Sequence, residues 1–244
     1  MCAIARAQNR FGGGLYTNSN DGMRTSSYLR KMRDDWDARA RSNAHHFIAD
    51  GRAQWSEEDF YSSGRTTVEG DILSDMENIC RDRDPKKMRV LELGCGAGRV
   101  TRALAEVFGQ VDGVDVSPEM IQRARAALRD VPNAQVRLIN GISIQPAQGS
   151  RFDFAYSCCV FHHISSYDVI RGLVKDIGGL LGPEDLFKFE VQGCARVKPD
   201  SGETWLGMPF SEQRAGQLAR DCGFELRYHA GAGQERFWLW FFKK

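Results

Sequence analysis

The stretch Val90-Leu91-Glu92-Leu93-Gly94-Cys95-Gly96-Ala97-Gly98-Arg99 constrains this 244-residue chain more than any other. A short apolar run ends in three glycines at alternate positions. Val100, Ala103, Leu104, Val107 and Phe108 then recur at helical spacing, and a second apolar run ends at Asp115. A strand, a glycine turn, a helix and an acid-ended strand form the cradle that a parallel sheet offers, at its carboxyl edge, to a ligand containing a nucleoside.

The same alternation continues downstream. Segments Arg89–Leu93, 111–116, 135–140, Phe152–Ser157 and 186–191 are strand-like, with amphipathic helical patterns between most of them. Ser117-Pro118-Glu119 opens a helix with a capping hydroxyl, a first-turn proline and a dipole-matched acid. Val169, Ile170, Leu173, Val174, Ile177 and Leu181 mark a helix ended by Gly182-Pro183. A helix over 211–222 leads to strands over 224–229 and 236–242, separated by Gly231-Ala232-Gly233. The predicted fold is α/β: a doubly wound, mostly parallel sheet with a C-terminal antiparallel hairpin.

Residues 1–22 are read as a flexible leader, 23–84 as an N-terminal helical lid and 85–244 as the core. Tyr28, Met32, Trp36, Ala40 and Ala44 recur every four residues across a helix predicted for 25–50. Trp55 to Gly64 is rich in aromatics and turn formers, and a second helix is predicted over 68–80. A net charge of +1 points to neither a nucleic acid nor a membrane. The excess of Arg over Asp before residue 53 reads as solvated helix surface. Seven cysteines without C-x-x-C spacing fit a reduced cytoplasm.

A dinucleotide fingerprint needs its third small residue at position 99, where this chain has Arg99; the third glycine comes one residue early, at Gly98. Glu92 lies inside an otherwise apolar strand, where a carboxylate is costly without a partner. It would repel a pyrophosphate but suits a ligand carrying an ammonium and a sulfonium. Asp115, 21 residues after Gly94, is placed to accept hydrogen bonds from ribose hydroxyls. The ligand these residues favour is S-adenosylmethionine.

Residues 92–98 closely resemble the first motif of the class I S-adenosylmethionine-dependent methyltransferases, and Asp115 is similar to that family's ribose-binding acid. Asn140-Gly141-Ile142 falls where the family contacts adenine, with Ile142 at a position that is often acidic there. Residues 152–157 through His162-His163-Ile164 resemble its fourth-strand motif. The resemblance covers about residues 85–244 and implies a seven-stranded sheet with an antiparallel last strand. It implies cofactor contacts from Glu92, Gly94, Cys95, Gly96, Asp115, Val116, Asn140, Gly141, Ile142, Ser157 and Cys158.

Methyl transfer is an in-line displacement on an already activated donor. The protein aligns the acceptor, excludes water and, for an alcohol, phenol or protonated amine, removes a proton. His162 or His163, just past the fourth strand, is the candidate base. If 158–163 is extended, the two imidazoles face opposite ways and only one faces the cofactor. Cys158-Cys159 reads as inert packing, and no metal site is expected, His45-His46 included. Trp36, Trp55, Phe60 and Tyr61, with Trp205, Leu206, Met208 and Phe210, are expected to wall the acceptor pocket. The expected acceptor is a small molecule or small peptide. An RNA or protein acceptor, a nicotinamide oxidoreductase and a non-catalytic partner are the alternatives.

Overall fold

A computed structural model describes residues 19–49, 52, 54–144, 151–194 and 199–244. One sheet of seven strands organises them: β1 (Arg89–Leu93), β2 (Gln110–Asp115), β3 (Ala134–Leu138), β4 (Phe152–Ser157), β5 (Leu181–Gln192), β6 (Phe224–Ala230) and β7 (Arg236–Lys243), in the order β3-β2-β1-β4-β5-β7-β6. The first five pair in parallel, and β7 runs antiparallel between β5 and β6. The chain reverses direction across the sheet after β3, between β1 and β4, so their carboxyl ends flank the crevice where such sheets bind ligands.

The central strands are apolar on both faces because helices cover both. Leu91, Leu93, Ala155, Phe187 and Phe189 belong to one buried cluster, while Val90, Phe154, Tyr156 and Leu186 belong to the other. The helices that follow the lid are α4 (Arg99–Val107), α5 (Pro118–Ala127), α6 (Tyr167–Leu180) and α7 (Glu212–Asp221). Ser117 caps α5 as its sequence predicts, accepting from Met120 N at 3.1 Å. The start of β5 differs from the predicted 186. Strand β5 begins at Leu181 and runs through Gly182-Pro183, because a proline is tolerated at the first residues of a strand. The Asp185 carboxylate accepts from Gly182 N at 2.9 Å and steadies that irregular start.

Before the sheet lie α1 (Ser19–Ile48), α2 (Glu57–Asp71) and the short α3 (Met76–Cys80). Ser19 to Gly22, expected in the leader, belong to α1; residues 1–18 of that leader lie outside the described residues. Residues 57–64, read as turn-rich, form the first half of α2. Ser56 Oγ caps it by accepting from Asp59 N at 3.0 Å, and three acids occupy its first turn. The helix expected over 68–80 is therefore split between the end of α2, a 3-10 turn and α3.

Gly64 brings α2 against α4: a Cβ there would collide with the Arg99 carbonyl. Arg99 then crosses the seam, donating from Nη1 to Ser63 O at 3.0 Å and to Thr67 Oγ1 at 2.9 Å. The collision is with backbone, so Gly64→Ala should destabilise the protein by about 2 kcal/mol in a urea melt. An unchanged midpoint would mean that α2 does not pack as described.

Candidate active site

The glycine turn connects β1 to α4. Gly94, Gly96 and Gly98 all have positive φ (+78°, +51° and +84°). Two of them are also walled in: a Cβ on Gly94 would strike Val160, and one on Gly96 would lie 3.0 Å from Ile48. Gly94 N and Cys95 N both donate to Val114 O, at 2.7 and 3.1 Å, which locks the turn to the end of β2. Asp115 completes the lock. Its Oδ2 accepts from Gly96 N at 2.9 Å and its Oδ1 from Ser117 N at 2.9 Å. Burial raises its pKa, and these backbone donors counter the rise.

Glu92 is buried in the wall beside this turn. Thr101 Oγ1, in the first turns of α4, donates to its Oε2 at 2.5 Å. Burial raises its carboxyl to about 7 against the opposing pull of Thr101 and Arg99.

One cavity, partly open to solvent, joins these groups. Its floor is Glu92 to Gly96 and Asp115 with Val116. Cys158, Cys159, Val160 and His163 come from the turn after β4, and Met32, Trp36, Phe47 and Ile48 from α1. Met120, Ile139, Ile164 and Leu173 complete an apolar lining, with Arg99 and Val100 at the start of α4. Helix α1 is tied down along its length. Asp37 Oδ1 accepts from Ser117 Oγ and from Glu119 N, and Arg39 donates to Thr204 O and Thr204 Oγ1, both at 3.1 Å. Tyr28 OH donates to Glu203 O at 3.1 Å and accepts from Ser165 N at 2.9 Å. A break at Asn43 (φ −165°, ψ 84°) turns the last residues of α1 so that Phe47 and Ile48 reach the cavity over the glycine turn.

Of the residues singled out from sequence, Glu92, Gly94, Cys95, Gly96, Asp115, Val116, Cys158, His163 and Trp36 meet in this cavity. Asn140, Gly141 and Ile142 are not among its lining residues. Asn140 Oδ1 accepts from Ile142 N and Ser143 N, each at 2.9 Å, Gly141 backs onto Val116, and Ile142 is 52% exposed. Ser157 is buried and donates to Leu93 O at 3.0 Å, joining the ends of β4 and β1. Phe60 is packed with Ala49 and Ala97, Tyr61 lines a separate cleft with Arg102 and Arg123, and Met208 is core. Trp205 stands at the rim, its ring 4.9 Å from His163, 5.7 Å from Phe47 and 6.2 Å from Trp36. His45 stacks on Phe60 and His46 Nδ1 lies 3.1 Å from Arg52 O, so that pair does not converge.

The histidine pair differs from the extended arrangement expected. Phe161–His163 is a 3-10 turn, and the two rings touch, with centroids 4.2 Å apart. His163 Nδ1 is 2.5 Å from Trp205 O, so Nδ1 carries the hydrogen; Nε2 then accepts from His162 Nε2 at 3.0 Å. Burial, and secondarily His162, depress the His163 pKa to about 3. Burial thus favours the neutral ring, and both its nitrogens are within hydrogen-bond distance of neighbouring groups. His162 is not among the lining residues; its Nδ1 lies 3.5 Å from Glu190 Oε1.

Fold and site together define an α/β domain with a cavity at the carboxyl edge of its sheet. Residues 91–184 match the family model described as a methyltransferase domain. The chain is 33% identical over 94 residues to a demethylmenaquinone methyltransferase of Tropheryma whipplei, covering 38% of this chain and 37% of that protein. It is 29% identical over 109 residues to a ribosomal RNA small subunit methyltransferase C of Idiomarina loihiensis, covering 43% and 32%. The chain spans about half the length, or less, of the curated relatives it matches. The magnesium protoporphyrin IX methyltransferase of Synechocystis, solved with bound S-adenosylhomocysteine, superposes with a TM-score of 0.64 at 16% identity, over 88% of this chain and 99% of that one. Over residues 91–184 the chain is similar to the methyltransferase domain family, and it shares the fold of the solved S-adenosylmethionine-dependent methyltransferases.

Proposed function

We propose that this protein transfers a methyl group from S-adenosylmethionine to a nucleophile on a small molecule or small peptide. The observation that carries the reading is Glu92, a buried and undercompensated carboxylate in the wall of a largely apolar cavity beside the glycine turn. The ammonium of the methionine moiety satisfies it, whereas the phosphates of a dinucleotide would oppose it. Asp115 keeps acceptor capacity for ribose hydroxyls while holding Gly96 and Ser117. Bound S-adenosylmethionine supplies a sulfonium-activated methyl carbon open to in-line attack. The aromatic side chains of Trp36 and Phe47 exclude water and can face the sulfonium. The net charge of +1 suits a small acceptor better than a polynucleotide.

The engaged state of His163 sets what the acceptor must bring. With Glu92 and Asp115 committed to the cofactor, the acceptor arrives as a nucleophile already: a neutral amine, a carboxylate, a thiolate or a phenolate. His163→Ala and His162→Ala should each keep kcat within about tenfold with an unshifted pH profile, because loss of a true general base costs about 100-fold or more. A loss of that size, with the acidic limb of the profile abolished, would return that histidine to the base role. The reading itself is tested by incubating the protein with methyl-labelled S-adenosylmethionine and a panel of phenols, amines, carboxylates and short peptides. Transfer to a small acceptor is the expected result; label reaching only RNA or a protein overturns it.

A further inference from the structure

Adjacent residues on an extended strand point to opposite sides, yet the thiols of Cys158 and Cys159 lie 3.5 Å apart on one side. The cause is Cys159, whose φ of +58° puts a non-glycine residue in the left-handed region just where β4 meets the cavity. Strain of this kind points to function when the surrounding structure maintains it. Here Glu190, fully buried on β5, maintains it by accepting from Cys159 N at 2.7 Å. The same oxygen lies 3.7 Å from Cys158 Sγ, and the ligating atoms of Cys158, Cys159 and Glu190 all fall within 4.8 Å of one another.

We propose that Cys158, Cys159 and Glu190 form a binding site for a thiophilic divalent cation of the zinc type, in the wall of the candidate active site. The spacing is the main argument. Bonds of about 2.3 Å to sulfur and about 2.0 Å to oxygen give tetrahedral edges of about 3.8 Å between two sulfurs and about 3.5 Å between sulfur and oxygen. The observed 3.5 Å and 3.7 Å match these edges within a few tenths of an ångström. Two soft sulfurs and one carboxylate make a donor set suited to a zinc-like ion. Three protein ligands leave a fourth position open. Both cysteines also line the cavity that holds the glycine turn.

A cation already sits at this cluster. Arg236 donates from Nε to Glu190 Oε2 at 2.5 Å, and its Nη2 lies 3.2 Å from Cys158 Sγ and 3.7 Å from Cys159 Sγ. Its side chain is 49% exposed, so it can withdraw into solvent when a metal enters. Arg236 is thus the competitor that sets the affinity.

The site can be tested on the full chain without reference to methyl transfer. Titration with Cd2+ should produce a thiolate-to-metal charge-transfer band that saturates at one equivalent. Zn2+ should displace the Cd2+ and shield Cys158 and Cys159 from alkylation, as mapped on peptides, while leaving Cys95 and Cys222 unaffected. Cys158→Ser and Cys159→Ser should each weaken binding by about 100-fold while leaving the melting temperature nearly unchanged. Arg236→Gln, or Arg236→Lys should the former not fold, should tighten it. Absence of the band, or binding that survives loss of both sulfurs, would overturn the proposal. Because S-adenosylhomocysteine binding is measured separately, a metal result of either sign leaves the methyltransferase reading standing or falling on its own.

Discussion

Glu92→Gln should stabilise the ligand-free protein above neutral pH and weaken its binding of S-adenosylhomocysteine. These opposite signs follow from one geometry. The Glu92 carboxyl titrates at about 7 in the fold, against an ordinary value of 4.5, because burial penalises the charge. The folded state therefore holds this proton more tightly than the unfolded chain. Stability from this group is fully present below about pH 4.5 and is lost as pH rises through 7, amounting to about 3 kcal/mol once ionisation is complete. The amide cannot ionise, and Thr101 still donates to its oxygen, so the variant should recover most of that energy at about pH 8. The ammonium of the ligand loses its charged partner in exchange, which should lower affinity by about 10- to 150-fold. Denaturant melts at about pH 5 and pH 8, paired with calorimetric titration of S-adenosylhomocysteine, read both effects. A variant with unchanged pH dependence and unchanged affinity would show that Glu92 neither ionises in the fold nor meets the ligand.

The second large effect is expected at Asp115. Its two oxygens accept from Gly96 N and Ser117 N, so the carboxylate shapes the glycine turn before any ligand arrives. Asp115→Asn keeps the volume but sets an NH2 group against one of these backbone donors. A buried donor left unsatisfied costs about 1–3 kcal/mol, and the acceptor for a ribose hydroxyl is lost as well. Together these should reduce S-adenosylhomocysteine affinity by about 100-fold or more, with a smaller fall in melting temperature. Retained affinity would place the ribose elsewhere on the sheet edge.

The sheet was legible because its signals are local and mutually consistent. The apolar runs around Leu91, Val114 and Ala155, the cap at Ser117 and the Gly231–Gly233 turn each specify one element. The glycine turn was legible for a different reason: alternate glycines after a strand mark left-handed backbone, and Gly94, Gly96 and Gly98 all adopt it. The lid was only partly legible. Four-residue spacing placed Met32 and Trp36 on one side of α1, but the break at Asn43 that brings Phe47 and Ile48 over Gly96 has no periodic signature. Gly64 resembled a turn former, while its use is contact between α2 and the Arg99 backbone. The thiols of Cys158 and Cys159 read as packing because methyl transfer needs no thiol and buried cysteines are usually inert; the left-handed conformation of Cys159 that sets them side by side has no periodic signature. At Asn140 to Ile142, aligned with the family's adenine contact, the chain forms a turn held by Asn140 Oδ1, outside the cavity lining.

Calorimetric titration of the unmodified protein with S-adenosylhomocysteine, in parallel with NAD+, tests the central claim most directly. One equivalent of S-adenosylhomocysteine should bind with micromolar or tighter affinity, and NAD+ should show no measurable heat. Saturable binding of NAD+ with none of S-adenosylhomocysteine would contradict the assignment of Glu92 and the glycine turn to a sulfonium cofactor.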